Sequence, residues 1–165
     1  MKTKMLSFDT SSTRSGWAYF ENGKLVNSGI INEEKEKDSV IRIENMCFGL
    51  SEILERNKPD IIVVEKPPYV NSPATLIMLA EIVGVIKGWA LCAGYAEFVE
   101  YGPTEWRKLI ANDGEVIPKN RKECKEWDIH KVLSNFNYVP ADDNEADAIL
   151  IGQARINQFK ECNYG

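Results

Sequence analysis

Three acidic residues stand at places where packing alone does not call for a charge. Asp9 follows the mostly apolar stretch 5–8, and Glu65 follows the β-branched run 61–64. Asp147 lies past the first turn of a predicted C-terminal helix, where N-terminal capping does not explain it. An ionised carboxylate beside a hydrophobic core is unfavourable unless it is paired or binds a cation. For Asp9 taken alone, a turn into the following Thr-Ser-Ser is an equally good explanation, so the other two acids carry the interpretation.

The helix that carries Asp147 offers two more oxygen ligands. Asp143 and Asn144 lie four and three residues earlier and therefore share its face. For Asp143, and for Asp142 before it, capping and a favourable helix dipole are a strong alternative explanation. Oxygen ligands without histidine or cysteine select Mg²⁺ or Mn²⁺. Two such ions about 3.5–4 Å apart can activate a water and stabilise the leaving oxygen of a phosphodiester, although the sequence also fits a single ion.

The composition argues against several other kinds of site. The chain has 165 residues, which suits one domain over 1–165, and a net charge of −5, which argues mildly against nucleic-acid binding. The single histidine, His130, lies in a polar helical stretch, so a hydrolase with a histidine base is not expected. No apolar run is long enough to cross a membrane and no signal peptide is evident, which predicts a cytoplasmic protein. Zinc and disulfides are not expected because no CxxC pair occurs among Cys47, Cys92, Cys124 and Cys162.

Hydrophobic periodicity predicts an α/β domain. Strands are predicted over residues 4–9, 16–20, 25–31, 61–64 and 96–101, and helices over 39–57, 74–93, 104–111, 119–136 and from 142 or 143 to about 158. Asn22-Gly23 predicts a hairpin, so the first three strands form an antiparallel meander. The right-handed crossover rule then places the fourth strand parallel to the first. Because ligands bind at the carboxyl ends of parallel strands, Asp9 and Glu65 are predicted to face one site.

The ordered motifs resemble a known family. Residues 7–18 (SFDTSSTRSGWA), 61–65 (IIVVE) and 143–148 (DNEADA) resemble the first, second and last motifs of RuvC-type Holliday-junction resolvases, in order and spacing over nearly the whole chain. The segment 103–108 (PTEWRK) makes the chain look most like phage-type members. The resemblance implies a ribonuclease-H-like fold with a mixed five-stranded sheet and helices on both faces. It also implies a homodimer, which suits the two symmetric cuts of a four-way junction.

The same resemblance carries over the metal and catalytic residues. Asp9, Glu65 and Asp147 match the family's ligands for Mg²⁺ or Mn²⁺, with two ions expected. The family usually has Asp or His three residues before its last Asp, whereas this chain has Asn144. Asn144 is therefore the expected fourth catalytic and metal position, and Asp143 is the alternative ligand.

Basic residues near the predicted site are candidates for binding phosphates. Such a cluster neutralises phosphates and makes binding salt-dependent, and the resemblance carries this role to Lys122 and to Lys108 or Arg107. A solvated helix face is the alternative, because Glu123 and Glu126 lie among the cations. Tyr69 could stack on an unpaired base or pack on a helix. The candidate DNA contacts are Lys119, Arg121, Lys122, Lys125, Lys108, Arg107, Arg14 and Tyr69.

Three functions fit these observations to different degrees. The first is a metal-dependent endonuclease that cuts Holliday junctions, and other branched DNA, by water attack on a backbone phosphodiester. The second is a non-catalytic scaffold of the actin-like or threonylcarbamoylation group, which would have no need for Glu65 or Asp147. The third is a ribonuclease-H-like nuclease that acts on RNA–DNA hybrids. The basic helix and Tyr69 favour branched DNA weakly over the hybrid.

Overall fold

The computed structural model describes residues 3–67, 72–94 and 96–164, the last four by their backbone alone. Tyr69 lies outside the described residues. The strands form one five-stranded sheet in the order β3-β2-β1-β4-β5. The strands are β1 (Lys4–Asp9), β2 (Arg14–Glu21), β3 (Lys24–Asn32), β4 (Ile61–Glu65) and β5 (Glu97–Tyr101), and the helices are α1 (Ser39–Asn57), α2 (Pro73–Ala93), α3 (Pro103–Ile110), α4 (Arg121–Phe136) and α5 (Asp143–Tyr164).

Local chemistry explains where these elements begin and end. Asn22 and Gly23 both have positive φ angles, as the predicted hairpin requires. The side chain of Asp38 accepts hydrogen bonds from two backbone N–H groups and caps α1. Asn120 caps α4 in the same way, so this helix begins at Arg121 and not at the predicted Lys119. The C-terminal helix runs beyond the predicted end near residue 158, to Tyr164.

The predicted sheet is confirmed, and β1 lies at its centre. It pairs antiparallel with β2 and parallel with β4. One face of the sheet carries a core cluster that includes residues of α3, α4 and α5, and the other carries a cluster that includes residues of α1 and α2. Helices therefore cover both faces, and the carboxyl ends of β1 and β4 meet in the middle of one sheet edge.

Two glycines let α5 lie directly on the central strands. A Cβ at Gly16 would stand 1.9 Å from the carbonyl oxygen of Asn144, and a Cβ at Gly152 would stand 2.3 Å from Phe20. Gly16 pairs with Asp9 across the β1–β2 ladder. The close approach therefore brings the first turn of α5 against the strand that neighbours Asp9.

Hydrophobic periodicity predicts that Ile129, Val132, Leu133 and Phe136 form one apolar face of α4, and this prediction is partly wrong. Val132 is buried and Phe136 packs against the core, but Ile129 and Leu133 are 37% and 45% exposed. Asp128 and Lys131 are buried instead. The helix is rotated relative to the prediction because it packs through a polar contact, which hydrophobic periodicity does not detect.

The helix α2 corrects a second expectation. By length and composition alone it could span a membrane, with a mean hydropathy of 1.9 over its most apolar window, although the sequence predicted no such segment. Only 28% of that window is buried. Glu81 and Lys87 lie within it. Ile77 and Leu91 are 57% and 75% exposed, so α2 presents an apolar surface away from the sheet.

Candidate active site

The carboxyl ends of β1 and β4 bring two of the predicted acids together. Phe8 pairs with Val64 in the parallel ladder, and Asp9 and Glu65 are the next residues on the two strands. Neighbouring strands lie about 4.8 Å apart. Burial, followed by repulsion from Glu65 and Asp143, raises the pKa of Asp9 well above its usual value. The structure thus places the two acids at neighbouring strand ends, where the charge of Glu65 acts on Asp9.

Asp147 approaches the same site from α5. Burial and then the charge of Asp9 raise its pKa well above the usual value. Its Oδ1 atom is buried and has no hydrogen-bond partner among the described residues. Its Oδ2 atom lies 3.6 Å from the Nη2 atom of Arg107. An orphaned carboxylate oxygen next to other acids is the arrangement that a bound cation would relieve.

The fully buried Trp106 holds Glu65 in place, a role that was not predicted for this residue. Its indole N–H donates a hydrogen bond of 2.6 Å to the Oε2 atom of Glu65. Burial raises the pKa of Glu65, while the bond from Trp106 and the charge of Arg107 act in the opposite direction. A buried indole N–H needs an acceptor. A tryptophan in the short helix after β5 therefore indicates a nearby polar partner, which the structure shows to be Glu65.

Asp128 is a second residue that the sequence analysis missed. Its side chain is fully buried on α4, where it accepts bonds of 3.1 and 2.7 Å from Nε and Nη2 of Arg107. Asp128 lies four residues before Val132, so the two share the buried face of α4. An acid on a face that is otherwise apolar indicates a buried partner. Arg107 was predicted to bind DNA, but its guanidinium is 13% exposed and is engaged inside the protein.

The two candidates for the fourth ligand have different surroundings. Asp143 raises the pKa of Asp9 by repulsion, and its Oδ2 atom contacts the Nζ atom of Lys125. The side-chain N–H of Asn144 donates instead to Asp142, at 3.3 Å. We call Asp9, Glu65 and Asp147 the acidic cluster. Asp143 is the candidate whose charge acts on this cluster, through Asp9.

Asp142 serves the structure of the helix end. It accepts a hydrogen bond of 3.0 Å from the backbone N–H of Glu145 and two from the guanidinium of Arg14. Burial alone would raise the pKa of Asp142, but these bonds lower it below its usual value. Arg14 also contacts Glu34 at 3.1 Å. The capping explanation thus accounts for Asp142, and Arg14 has acidic partners in the protein.

The chemistry of the acidic cluster fits divalent cations, although its side chains are not arranged around one. Within the ranges that the structure describes, no three residues of the types Asp, Glu, His or Cys converge as a set that could hold a metal ion. The donors are all oxygens, the charge of Glu65 raises the pKa of Asp9, that of Asp9 raises the pKa of Asp147, and one buried oxygen is unpaired among the described residues. These properties match the hard, oxygen-seeking ions Mg²⁺ and Mn²⁺.

The predicted basic residues differ in their relation to the acidic residues of the site. Lys125 contacts Asp143, and Arg121 lies four residues earlier on the same face of α4. Lys122 is 86% exposed and lies 3.9 Å from Glu126. Lys119 and Lys108 are also exposed. The predicted role of His130 as an exposed helix residue is confirmed.

Similarity to known proteins is extensive along the chain. No protein-family model matches it. The crossover junction endodeoxyribonuclease RuvC of Prochlorococcus marinus is 26% identical over 159 residues, which cover 94% of this chain and 97% of that protein. The structure of T. thermophilus RuvC in complex with a Holliday junction substrate has a TM-score of 0.75 at 16% identity, with 96% of each chain covered.

A second solved structure shares the fold. The Fowlpox virus resolvase, in complex with Holliday junction DNA, has a TM-score of 0.63 at 16% identity and is covered over 99% of its length. The ribonuclease-H-like fold of this chain is thus the fold of these resolvases. Together with the three motifs in their order, these similarities confirm the predicted resemblance to the RuvC-type Holliday-junction resolvases.

Proposed function

We propose that this chain is a metal-dependent, structure-specific endonuclease that cleaves Holliday junctions and related branched DNA. The observation that carries the proposal is electrostatic: the charge of Glu65 acts on Asp9, and the charge of Asp9 acts on Asp147, although the three acids come from three separate elements. Relatives that match nearly the whole chain are named as crossover junction endodeoxyribonucleases. A scaffold protein has no use for such a cluster, because buried like charges lower the stability of the fold.

The acidic cluster would hold one or two divalent cations. Asp9, Glu65 and Asp147 are the proposed ligands, and Asp143 is the preferred fourth because its charge acts on Asp9. When bound, such cations supply Lewis-acid activation of the attacking water and of the scissile phosphate. The protein's own contribution is to hold the carboxylates in place through Trp106 and α5.

The basic residues of α4 and α3 are the proposed phosphate-binding residues. Arg121, Lys125 and Asp128 lie on one face of α4. Lys125 on this face contacts Asp143. Lys119, Lys122 and Lys108 extend this surface with exposed ammonium groups. Tyr69 remains a proposed stacking residue. The whole reaction is expected in the cytoplasm, where branched DNA is formed and repaired.

We further propose that two copies of the chain associate through α1 and α2. Phe48 of α1 and Ile77 and Leu91 of α2 are 66%, 57% and 75% exposed. A second copy would bury these side chains, and a two-fold dimer would present two active sites to a junction with two-fold symmetry. Leu91→Lys should convert the dimer to a monomer in sedimentation velocity. Flotation of the wild-type protein with lipid vesicles, without dimerisation, would contradict this assignment of the apolar surface.

The function is tested with a panel of labelled DNA substrates. A synthetic four-way junction is incubated with the protein and Mg²⁺ or Mn²⁺, beside linear duplex, flap and RNA–DNA hybrid. We expect metal-dependent cleavage of the junction and little cleavage of the linear duplex. Absence of cleavage on every substrate would refute the nuclease proposal, and equal cleavage of hybrid and junction would favour the hybrid nuclease.

A further inference from the structure

Arg107 lies between two carboxylates and is bound much more closely to one of them. Its Nε and Nη2 atoms lie 3.1 and 2.7 Å from the two carboxylate oxygens of Asp128. The same Nη2 atom lies 3.6 Å from the Oδ2 atom of Asp147, beyond hydrogen-bond distance. The guanidinium therefore satisfies Asp128 with two bonds and leaves Asp147 with a long contact.

This inequality matters because Arg107 stands beside the acidic cluster. A guanidinium is a permanent cation whose fork of N–H groups fits a carboxylate with two parallel bonds. Without a competing acid, Arg107 would turn fully onto Asp147 and neutralise it. A divalent cation would then have to displace an ion pair before it could bind there.

Contacts with α3 restrict the movement of the Arg107 guanidinium. Its guanidinium lies 4.1 Å from the centre of the Trp106 ring, and Nη1 contacts the carbonyl oxygen of Pro103 at 3.4 Å. Both contacts are made by the guanidinium itself and hold it against α3. A small rotation of the guanidinium is then enough to exchange Asp128 for Asp147.

We propose that Asp128 is a positioning residue that holds the guanidinium of Arg107 away from Asp147 and so keeps the acidic cluster open to a divalent cation. The inference rests on the proposed metal-dependent function. It gives a buried acid on α4 a role in metal affinity without making it a ligand. It also assigns Arg107 to the control of the cluster and not to the phosphates of DNA.

Calorimetric titration of the full chain with Mn²⁺, without DNA, tests the proposal. Asp128→Asn keeps the shape of the side chain but removes its charge, which frees Arg107 to pair with Asp147. Residues that orient metal ligands affect affinity by about 10–100-fold, so Mn²⁺ should bind the variant at least about tenfold more weakly. The double variant Asp128→Asn/Arg107→Gln has no guanidinium to compete, and its Mn²⁺ affinity should return to within about threefold of the wild type.

The controls separate this role from a structural one. Asp113→Asn changes an exposed acid in the loop between α3 and α4 and should leave the Mn²⁺ affinity unchanged. If Asp128 only stabilised the fold, the double variant would bind Mn²⁺ as weakly as the single one, and the proposal would be overturned. Wild-type affinity in a folded Asp128→Asn variant would overturn it equally.

A measurement on the wild type keeps the proposal testable if Asp128→Asn fails to fold. The Nε–H group of Arg107 should stay protected from solvent exchange in NMR spectra at saturating Mg²⁺, because Asp128 holds it whether or not the cluster is occupied. Loss of that protection on adding Mg²⁺ would overturn the proposal. Failure of the wild type to bind Mn²⁺ would instead refute the metal-dependent function, and the inference with it.

Discussion

Replacing Asp147 with Asn should make the metal-free protein more stable. The wild-type carboxylate is largely buried beside Asp9 and its Oδ1 atom lacks a partner among the described residues. A buried charge without a close partner costs at least about 1–3 kcal/mol, and the neutral Asn side chain removes that charge. The contact with Arg107 at 3.6 Å is longer than a hydrogen bond, so it offsets only part of this cost. We therefore expect Asp147→Asn to raise the free energy of unfolding by about 1–2 kcal/mol at neutral pH without metal.

The sign of the pH dependence follows from the pKa of Asp147, which burial and then Asp9 raise above its usual value. A raised pKa means that the folded state holds the proton more tightly than the unfolded state. Wild-type stability is therefore lost as the pH rises from the unfolded value of about 3.9 through the folded pKa. The variant lacks this loss, so its advantage should be absent below about pH 4 and grow as the pH rises toward the folded pKa of Asp147.

Urea denaturation with EDTA or with Mg²⁺ measures both effects. A ligand at 100 times its dissociation constant stabilises the folded state by about 2.7 kcal/mol, so Mg²⁺ should stabilise the wild type and have a smaller effect on Asp147→Asn. Asp113→Asn, in an exposed loop, should behave like the wild type. If Asp147→Asn were less stable than the wild type in EDTA at neutral pH, the view of Asp147 as an uncompensated acid would be refuted.

Three further predictions concern the supports of the site and its DNA surface. Trp106→Phe removes the bond that lowers the pKa of Glu65, so the acidic limb of the pH–rate profile should move to higher pH; an unchanged limb would contradict the role of Trp106. Gly16→Ala places a Cβ 1.9 Å from the carbonyl oxygen of Asn144, and it should abolish cleavage and lower the melting temperature, whereas a stable, active variant would show that α5 can shift. Lys122→Gln changes a residue that is 86% exposed, so the stability of the fold should be unaffected. The slope of log affinity for the junction against log salt concentration, measured by fluorescence anisotropy, should fall by about one counterion. An unchanged slope would show that Lys122 does not contact the DNA.

Much of the fold followed from short-range signals and chain topology. The Asn22-Gly23 turn, the Asp38 cap and the β-branched strand before Glu65 each specify a local structure. The handedness of the crossover then determined that β4 lies beside β1. These rules are sufficient to place Asp9 and Glu65 at neighbouring strand ends.

The remaining parts of the site depend on contacts between elements that the sequence does not pair. The bonds from Trp106 to Glu65 and from Arg107 to Asp128 join α3 to β4 and to α4. A charged residue on a helix is usually exposed, so periodicity assigned Ile129, and not Asp128, to the buried face of α4. The orientation of α4 was therefore predicted incorrectly in the region where it completes the site.

The most direct test of the account separates DNA binding from cleavage at Glu65. Glu65→Gln keeps the size of the side chain and the hydrogen bond from Trp106, but removes a charge from the acidic cluster. Glu21→Gln is the matched control, because Glu21 accepts a bond from Tyr19 at the opposite end of the sheet. With a four-way junction and Mg²⁺, Glu65→Gln should bind with wild-type affinity and fail to cleave, while Glu21→Gln should do both. Normal cleavage by Glu65→Gln would contradict the assignment of the active site.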